Sequence, residues 1–132
     1  MQNRSMPPGD VIPEIPYRDI SEAVSWLSSA FGFQERLRIA DHRAQISVGT
    51  GSFVVVQGNP EAGKVATMIR VSDIDSHYST AVAFGAHVFG PPETYPYGER
   101  QYSTEDLAGH RWVFSQSVAD VDPADWGGQL IT

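Results

Sequence analysis

GTGSFVVVQ (residues 49–57) is echoed by AGHRWVFSQ (residues 108–116). Each stretch opens with a glycine-containing turn and reaches a bulky aromatic, Phe53 or Trp112. A valine follows, Val54 or Val113, and each stretch ends on a glutamine, Gln57 or Gln116. The echo continues upstream. IPYRDISEAVSWLSSAFGF (15–33) aligns with IRVSDIDSHYSTAVAFGAH (69–87), pairing Ile15 with Ile69, Asp19 with Asp73 and Ile20 with Ile74. Phe31-Gly32 meets Phe84-Gly85 after one deletion, and QIS at 45–47 meets QYS at 101–103. Shared order over so long a span is the mark of an internal duplication.

Both copies follow one grammar. A Val/Ile-rich stretch, 11–17 or 65–71, reads as a strand. Asp19-x-x-Glu22 and Ser72-x-x-Asp75 read as helix starts, with an acceptor at the N-cap and an acid in the first turn. Ile20, Ala23, Val24, Leu27 and Phe31 recur at helical steps, as do Ile74, Tyr78, Ala81 and Val82. Gly32 and Gly85 close the helices. Strand-like runs follow at 33–40, 43–49 and 52–57, then at 86–90, 98–104 and 111–116. The chain therefore reads βαβββ twice. The expectation is an α+β fold in which two tandem modules form a curved eight-stranded sheet around a concave cleft. The division is one domain over 1–132, with repeats at about 11–57 and 65–117 and an acidic tail at 118–132. A lone module would leave one sheet face and its edges open, so duplication supplies a cleft suited to a small molecule.

Composition narrows the function. The chain has 132 residues, no cysteine, and 9 basic against 16 acidic side chains, for a net charge of −7. Disulfides and thiolate chemistry are excluded. A phosphate-backbone partner is disfavoured, whereas a cationic ligand is compatible with the charge. The first ten residues, MQNRSMPPGD, carry no apolar core of signal-peptide length, and no run approaches a membrane span. The expected location is the cytoplasm, with neither a nucleic-acid nor a membrane partner. Phosphate-loop and nucleophile-elbow motifs are absent. The four histidines, His42, His77, His87 and His110, fall on different elements, and none sits at metal-ligand spacing. Surface or turn roles are expected of them.

The duplication, together with YGERQYSTEDLAGHRWVFSQ (97–116) and AFGF (30–33), resembles the vicinal oxygen chelate superfamily, which includes glyoxalase I, extradiol dioxygenases and the fosfomycin and bleomycin resistance proteins. The likeness covers about residues 11–117 and is nearest to the bleomycin-resistance-like members. DLAGHRW stands where those members carry an Asp-Pro-x-Gly-His-x-Trp turn, with Leu107 replacing the proline. The resemblance implies four metal-ligand positions. Two stand seven residues before Asp19 and Asp73, at Ile12 and Ala66. Two follow the aromatics, at Val54 and Val113. None of these side chains has a lone pair, so the resemblance implies an apolar floor with no metal and no cofactor.

Strand alternation then places Glu14 beside Ile12 on the cleft face, with Met68 and Arg70 beside Ala66, and Arg111 beside Val113. Glu14 either orients a ligand or pairs with Arg70 or Arg111. Trp112 and Phe53 are expected to face the helices. Tyr95, Tyr97 and Tyr102 are placed at the rim, with GPPETYPYGER (90–100) as a loop lining the cleft. The ligand-binding set is thus Ile12, Glu14, Val54, Ala66, Met68, Arg70, Tyr95, Tyr97, Tyr102, Arg111 and Val113, with no catalytic residue. The leading reading is a metal-free homodimeric protein that sequesters an aromatic ligand, preferentially a cationic one, with Trp26 and the Trp126 tail as interface candidates. The alternatives are a glyoxalase- or dioxygenase-type enzyme and an accessory interaction module.

Overall fold

A computed structural model describes residues 2–131. In chain order the elements are β1 (Glu14–Tyr17), α1 (Ile20–Phe31), β2 (Gln34–Ile39), β3 (Arg43–Val48) and β4 (Gly51–Gln57), then β5 (Ala66–Arg70), α2 (Ile74–Ala83), β6 (His87–Val88), β7 (Glu93–Thr94), β8 (Glu99–Glu105) and β9 (Arg111–Ser117). A short 3-10 helix, Pro123–Trp126, closes the described chain. The α+β class and the two βαβββ modules are as the sequence predicts.

Local chemistry explains the helices. The Asp19 carboxylate accepts from the Glu22 amide at 3.0 Å and so caps α1. Gly32 ends it at φ 75°, a left-handed conformation that glycine adopts without strain. The buried stripe is the expected one, extended by Ala30. The second cap is Asp73 rather than Ser72. Its carboxylate accepts from the Ser76 amide at 3.1 Å, as its repeat counterpart Asp19 does. Val82 also departs from its expected stripe and is exposed, while Ile74 and Ala81 are buried.

The first sheet has the order β1-β4-β3-β2 and the second β5-β9-β8-β6, with β7 added against β8. In each, the first strand lies parallel to the last, and Glu14 opposite Val54 is the same station as Met68 opposite Val113. The eight-strand surface is therefore divided. Hydrogen bonding builds separate sheets of four and five strands, and among the described residues no ladder joins β1 to β5. The expected strand at 86–90 is only two residues long, because Gly90-Pro91-Pro92 cannot sustain a ladder. Chain expected to be loop instead forms β7.

The repeated aromatics meet. Phe53 and Trp112 have ring centroids 5.3 Å apart, Phe33 lies 5.2 Å from Trp112, and Phe31 lies 4.9 Å from Phe114. Both faced the helices by parity, and one core of the two modules results. Trp26 belongs to its fringe, edge-on to Phe31 at 5.0 Å, so part of its surface is spent within the chain. The turn 106–110 ties the modules further. One Asp106 oxygen accepts from the Tyr17 hydroxyl and from Trp112 Nε1 at 3.0 Å. The other accepts from the amides of Ala108 at 2.9 Å and His110 at 3.0 Å. His110 Nε2 donates to the Pro16 carbonyl at 2.6 Å. A third lock closes the far end: a Cβ on Gly98 would stand 2.3 Å from the Ala119 carbonyl, so the tail's approach to β8 requires glycine there.

Candidate functional site

Alternation sorts the predicted residues onto two faces turned away from the helices. On the first sheet, Glu14 and Val54 are direct neighbours, with Ile12 just before β1. On the second, Ala66 sits opposite Arg111, Met68 opposite Val113, and Arg70 opposite Ser115. Apart from the three tyrosines, the predicted set is thus split, five residues to the second sheet and three to the first, with no pairing between the sheets among the described residues. The two groups meet at the seam. Glu14 and Arg111 both line a cavity of about 280 Å³, whose apolar walls include Pro13, Ile15, Val65 and Trp112.

Glu14 is not held by Arg70 or Arg111. Its carboxylate lies 3.5 Å from Arg43 Nη2 on β3, and both groups are exposed. Arg111 instead sets its guanidinium 4.3 Å over the ring of Phe89, a cation–π contact. Arg70 borders Glu99, whose carboxyl is held below the usual carboxylate range, first by hydrogen bonds from Ser117 and Ser115 and then by Arg70, against the opposing effect of burial.

Glu99 opens a polar chain that the sequence reading did not single out. Ser115 Oγ donates to Glu99 Oε1 at 2.7 Å and accepts from Gln101 Nε2 at 3.0 Å. Gln101 Oε1 accepts from the Tyr97 hydroxyl at 3.1 Å. The alternation of Glu99, Gln101 and Ser103 along β8 was the available signal. Beside this chain lies carbon: Met68 is 62 % exposed in the middle of an edge strand.

The tyrosines divide. Tyr95 and Tyr97 stack at 5.5 Å with planes 5° apart, and Trp126 lies 5.5 Å from Tyr97. Tyr102 is not at a rim. It is 3 % exposed, stacked on Phe114 at 5.4 Å, and its hydroxyl meets His77 Nδ1 at 2.7 Å. The parity of β8 turns Tyr102 and Thr104 toward the core, opposite Phe114 and Trp112. His77 likewise departs from a surface role. Its Nε2 meets the Phe31 carbonyl at 3.0 Å, so it bridges α1 and β8. Burial lowers its pKa from 6.5, against the opposite pull of that carbonyl bond.

A cavity of about 660 Å³ lies between the end of α1, the β3–β4 turn and the β5–α2 junction. Arg70 is the one predicted residue that lines it. The donors needed for a metal are missing from the family positions, since Ile12, Val54, Ala66 and Val113 offer only carbon. Among the described residues, no three His, Asp or Glu side chains gather as a metal site. These residues do not fit the metal of the enzymatic members.

Comparison with known proteins agrees with this architecture. The sequence profile described as Glyoxalase/Bleomycin resistance protein/Dioxygenase superfamily matches residues 11–114. TioX from Micromonospora sp. ML1 is similar at 32 % identity, with 86 % of this chain and 100 % of that one covered and a TM-score of 0.71. A glyoxalase/bleomycin resistance protein/dioxygenase from Nocardioides shares the fold at 17 % identity, covering 95 % and 92 % of the two chains, with a TM-score of 0.69. The fosfomycin resistance protein FosX from Mesorhizobium loti shares it at 17 % identity, covering 84 % and 93 %, with a TM-score of 0.65. A comparison with curated protein sequences finds no match. No helix among the described residues is long and apolar enough to cross a membrane. By its sequence profile over most of the chain, and by its paired βαβββ modules, this chain belongs to the glyoxalase/bleomycin resistance protein/dioxygenase superfamily.

Proposed function

We propose that this chain is a cytoplasmic, homodimeric small-molecule binding protein that works without a metal and returns its ligand unchanged. The observation that carries the reading is the outward face of the second sheet. Ala66, Met68 and Val113 present carbon there, with Met68 largely exposed and the hydrogen-bonded chain from Glu99 to Tyr97 alongside. An exposed apolar strip with a few oriented polar groups is how proteins receive small ligands. Carbon at the metal stations favours rings over hydrated groups, at about 25 cal/mol per Å² of apolar surface buried.

The charge preference rests on Glu99, whose carboxyl is held ionised, and on the net charge of −7. Glu14 is the second candidate partner for a cation, at the rim of the seam cavity. Arg43 already lies beside it, which reduces the expected loss on Glu14→Gln. A second subunit would cover the exposed strip, and closed two-fold dimers are the commonest assembly.

Isothermal calorimetry with bleomycin, and with cationic and neutral aromatic compounds of one size, tests the reading. Mass spectrometry of the recovered compound follows. The expected result is a preference for the cation, with affinity for both compounds weakened by Met68→Gln, the preference reduced by Glu99→Gln, and the compound recovered intact. Chemical alteration of the compound would overturn the binding reading in favour of an enzyme. Equal affinity for neutral and cationic compounds would overturn the charge argument.

A further inference from the structure

The seam cavity of about 280 Å³ is built by the joint between the modules. It lies where β1 and β5 begin, and Glu61, Lys64 and Val65 of the linker form one wall. Two contacts hold that linker on the 106–110 turn. The Gly63 amide donates to the Gly109 carbonyl at 3.1 Å. A Cβ on Gly109 would stand 2.7 Å from Ala62 Cβ, so the approach requires glycine. His110 and Pro16, joined by their own hydrogen bond, also border the cavity. So do Ile15 and Trp112, which pack with the core on the helix side. The cavity therefore sits at the strand edges rather than on either outward face.

Four charged side chains border it: Glu14, Glu61, Lys64 and Arg111. Three have a partner. Glu14 lies 3.5 Å from Arg43, and Lys64 lies 3.7 Å from Glu61. Arg111 differs, since among the described residues no carboxylate comes within ion-pair distance of it. Its cross-strand neighbour Glu105 is turned to His87 Nδ1 at 2.8 Å. Its guanidinium rests over Phe89 instead, 4.3 Å from the ring centroid. A stacked guanidinium keeps its N–H donors for a planar acceptor. Carbon from Pro13, Ile15, Val65 and Trp112 lies in the same cavity.

We propose that the seam cavity is a second binding site, for a small carboxylic acid with an aromatic body, anchored on Arg111. The apolar walls take the ring, and the Arg111 fork takes the carboxylate through two parallel hydrogen bonds. Lys64 adds a second cation on the linker side. A cavity of about 150 Å³ holds benzene, so about 280 Å³ has room for one ring and a short acid chain. Glu14, Glu61 and the net charge of −7 oppose an anion at a distance. At about 0.15 M salt the Debye length is about 8 Å, so the direct contact to Arg111 outlasts that repulsion. The site does not use the open strip at Met68, so the following experiment can fail while ligand binding there stands.

Phenylacetate is the probe, and phenylacetamide, of the same shape without the charge, is its control. The isotopically labelled full chain is titrated with each at about 0.15 M salt and followed by amide chemical shifts. A well-seated ligand of about ten non-hydrogen atoms binds with a Kd of roughly 1 mM. Phenylacetate should reach that value and shift the Gly63, Val65 and His110 amides. Phenylacetamide should bind roughly fivefold more weakly, because it lacks the charge-assisted pair. Arg111→Gln should bring the acid down to the level of the amide, while the spectrum stays that of a folded chain. No shift at those three amides by about 20 mM phenylacetate would overturn the proposal. So would equal affinity for acid and amide in the parent, or a preference that survives Arg111→Gln. Shifts confined to Met68, Gln101 and Ser115 would also overturn it, by placing the acid on the open face.

Discussion

Replacing Asp106 with alanine should be among the most damaging single changes in this chain, and the cost can be worked from its contacts. Four donors converge on one carboxylate: the Tyr17 hydroxyl, Trp112 Nε1 and the amides of Ala108 and His110. Trp112 and Tyr17 are almost wholly buried, and water cannot replace the lost acceptor for either. A buried donor left unsatisfied costs about 1–3 kcal/mol. Counting the two side-chain donors in full and the backbone amides in part gives roughly 3–6 kcal/mol, because neighbours in one network do not add independently. That is a large share of the about 5–15 kcal/mol that holds a domain together. For a chain of this size it lowers Tm by about 10–20 °C. Tyr17→Phe is the discriminating partner. It removes one donor, keeps the ring, and leaves the carboxylate three bonds, so about 1 kcal/mol is expected. Urea unfolding followed by tryptophan fluorescence measures both. If Asp106→Ala lies within about 1 kcal/mol of the parent, or Tyr17→Phe costs as much as Asp106→Ala, the convergence of donors is not what holds the modules together.

Stability should fall as the medium is acidified through the histidine range. His77 has a lowered folded pKa, so its neutral form is the stabilising one. Its contribution is whole above the unfolded value of 6.5 and is lost as pH falls below that toward the folded value. His77→Gln should flatten this part of the pH–stability curve, and an unchanged slope would refute the assignment. Metal analysis of protein purified without chelators should find no stoichiometric divalent ion, and EDTA should leave Tm unchanged. One tightly held equivalent, lost on changing Ile12, Val54, Ala66 or Val113, would contradict the carbon-only reading of those positions. Light scattering at micromolar concentration should give a dimer mass, and Met68→Glu should shift it toward monomer. A parent protein that is already monomeric would remove the second subunit from the proposed site.

Much of this protein is legible one-dimensionally. The duplication, both helix caps to within a residue, the apolar stripe of α1 and the inward aim of Phe53 and Trp112 all follow from short-range rules. A cap is set by a side chain three residues from its target, and alternation along a strand is geometry. The identity of the four family positions is a matter of which atoms the side chains carry, and no packing can give Ile12 or Val113 a lone pair. What needed the tertiary structure involves residues far apart in sequence. Asp106 reads as a turn residue until Tyr17, 89 positions away, donates to it. Tyr102 reads as a rim aromatic until the register of β8 on β9 lays it against Phe114. Glu14 looks toward Arg70 or Arg111 by sequence parity, yet the register of β3 on β4 brings Arg43 instead. The N-terminal stretch carries no pattern of its own, and its place on the first sheet depends on two donors about 32 and 40 residues downstream. Periodicity tells which way a side chain points. Only the packing of distant segments decides what it finds there, because strand register and loop path are set by the whole core at once.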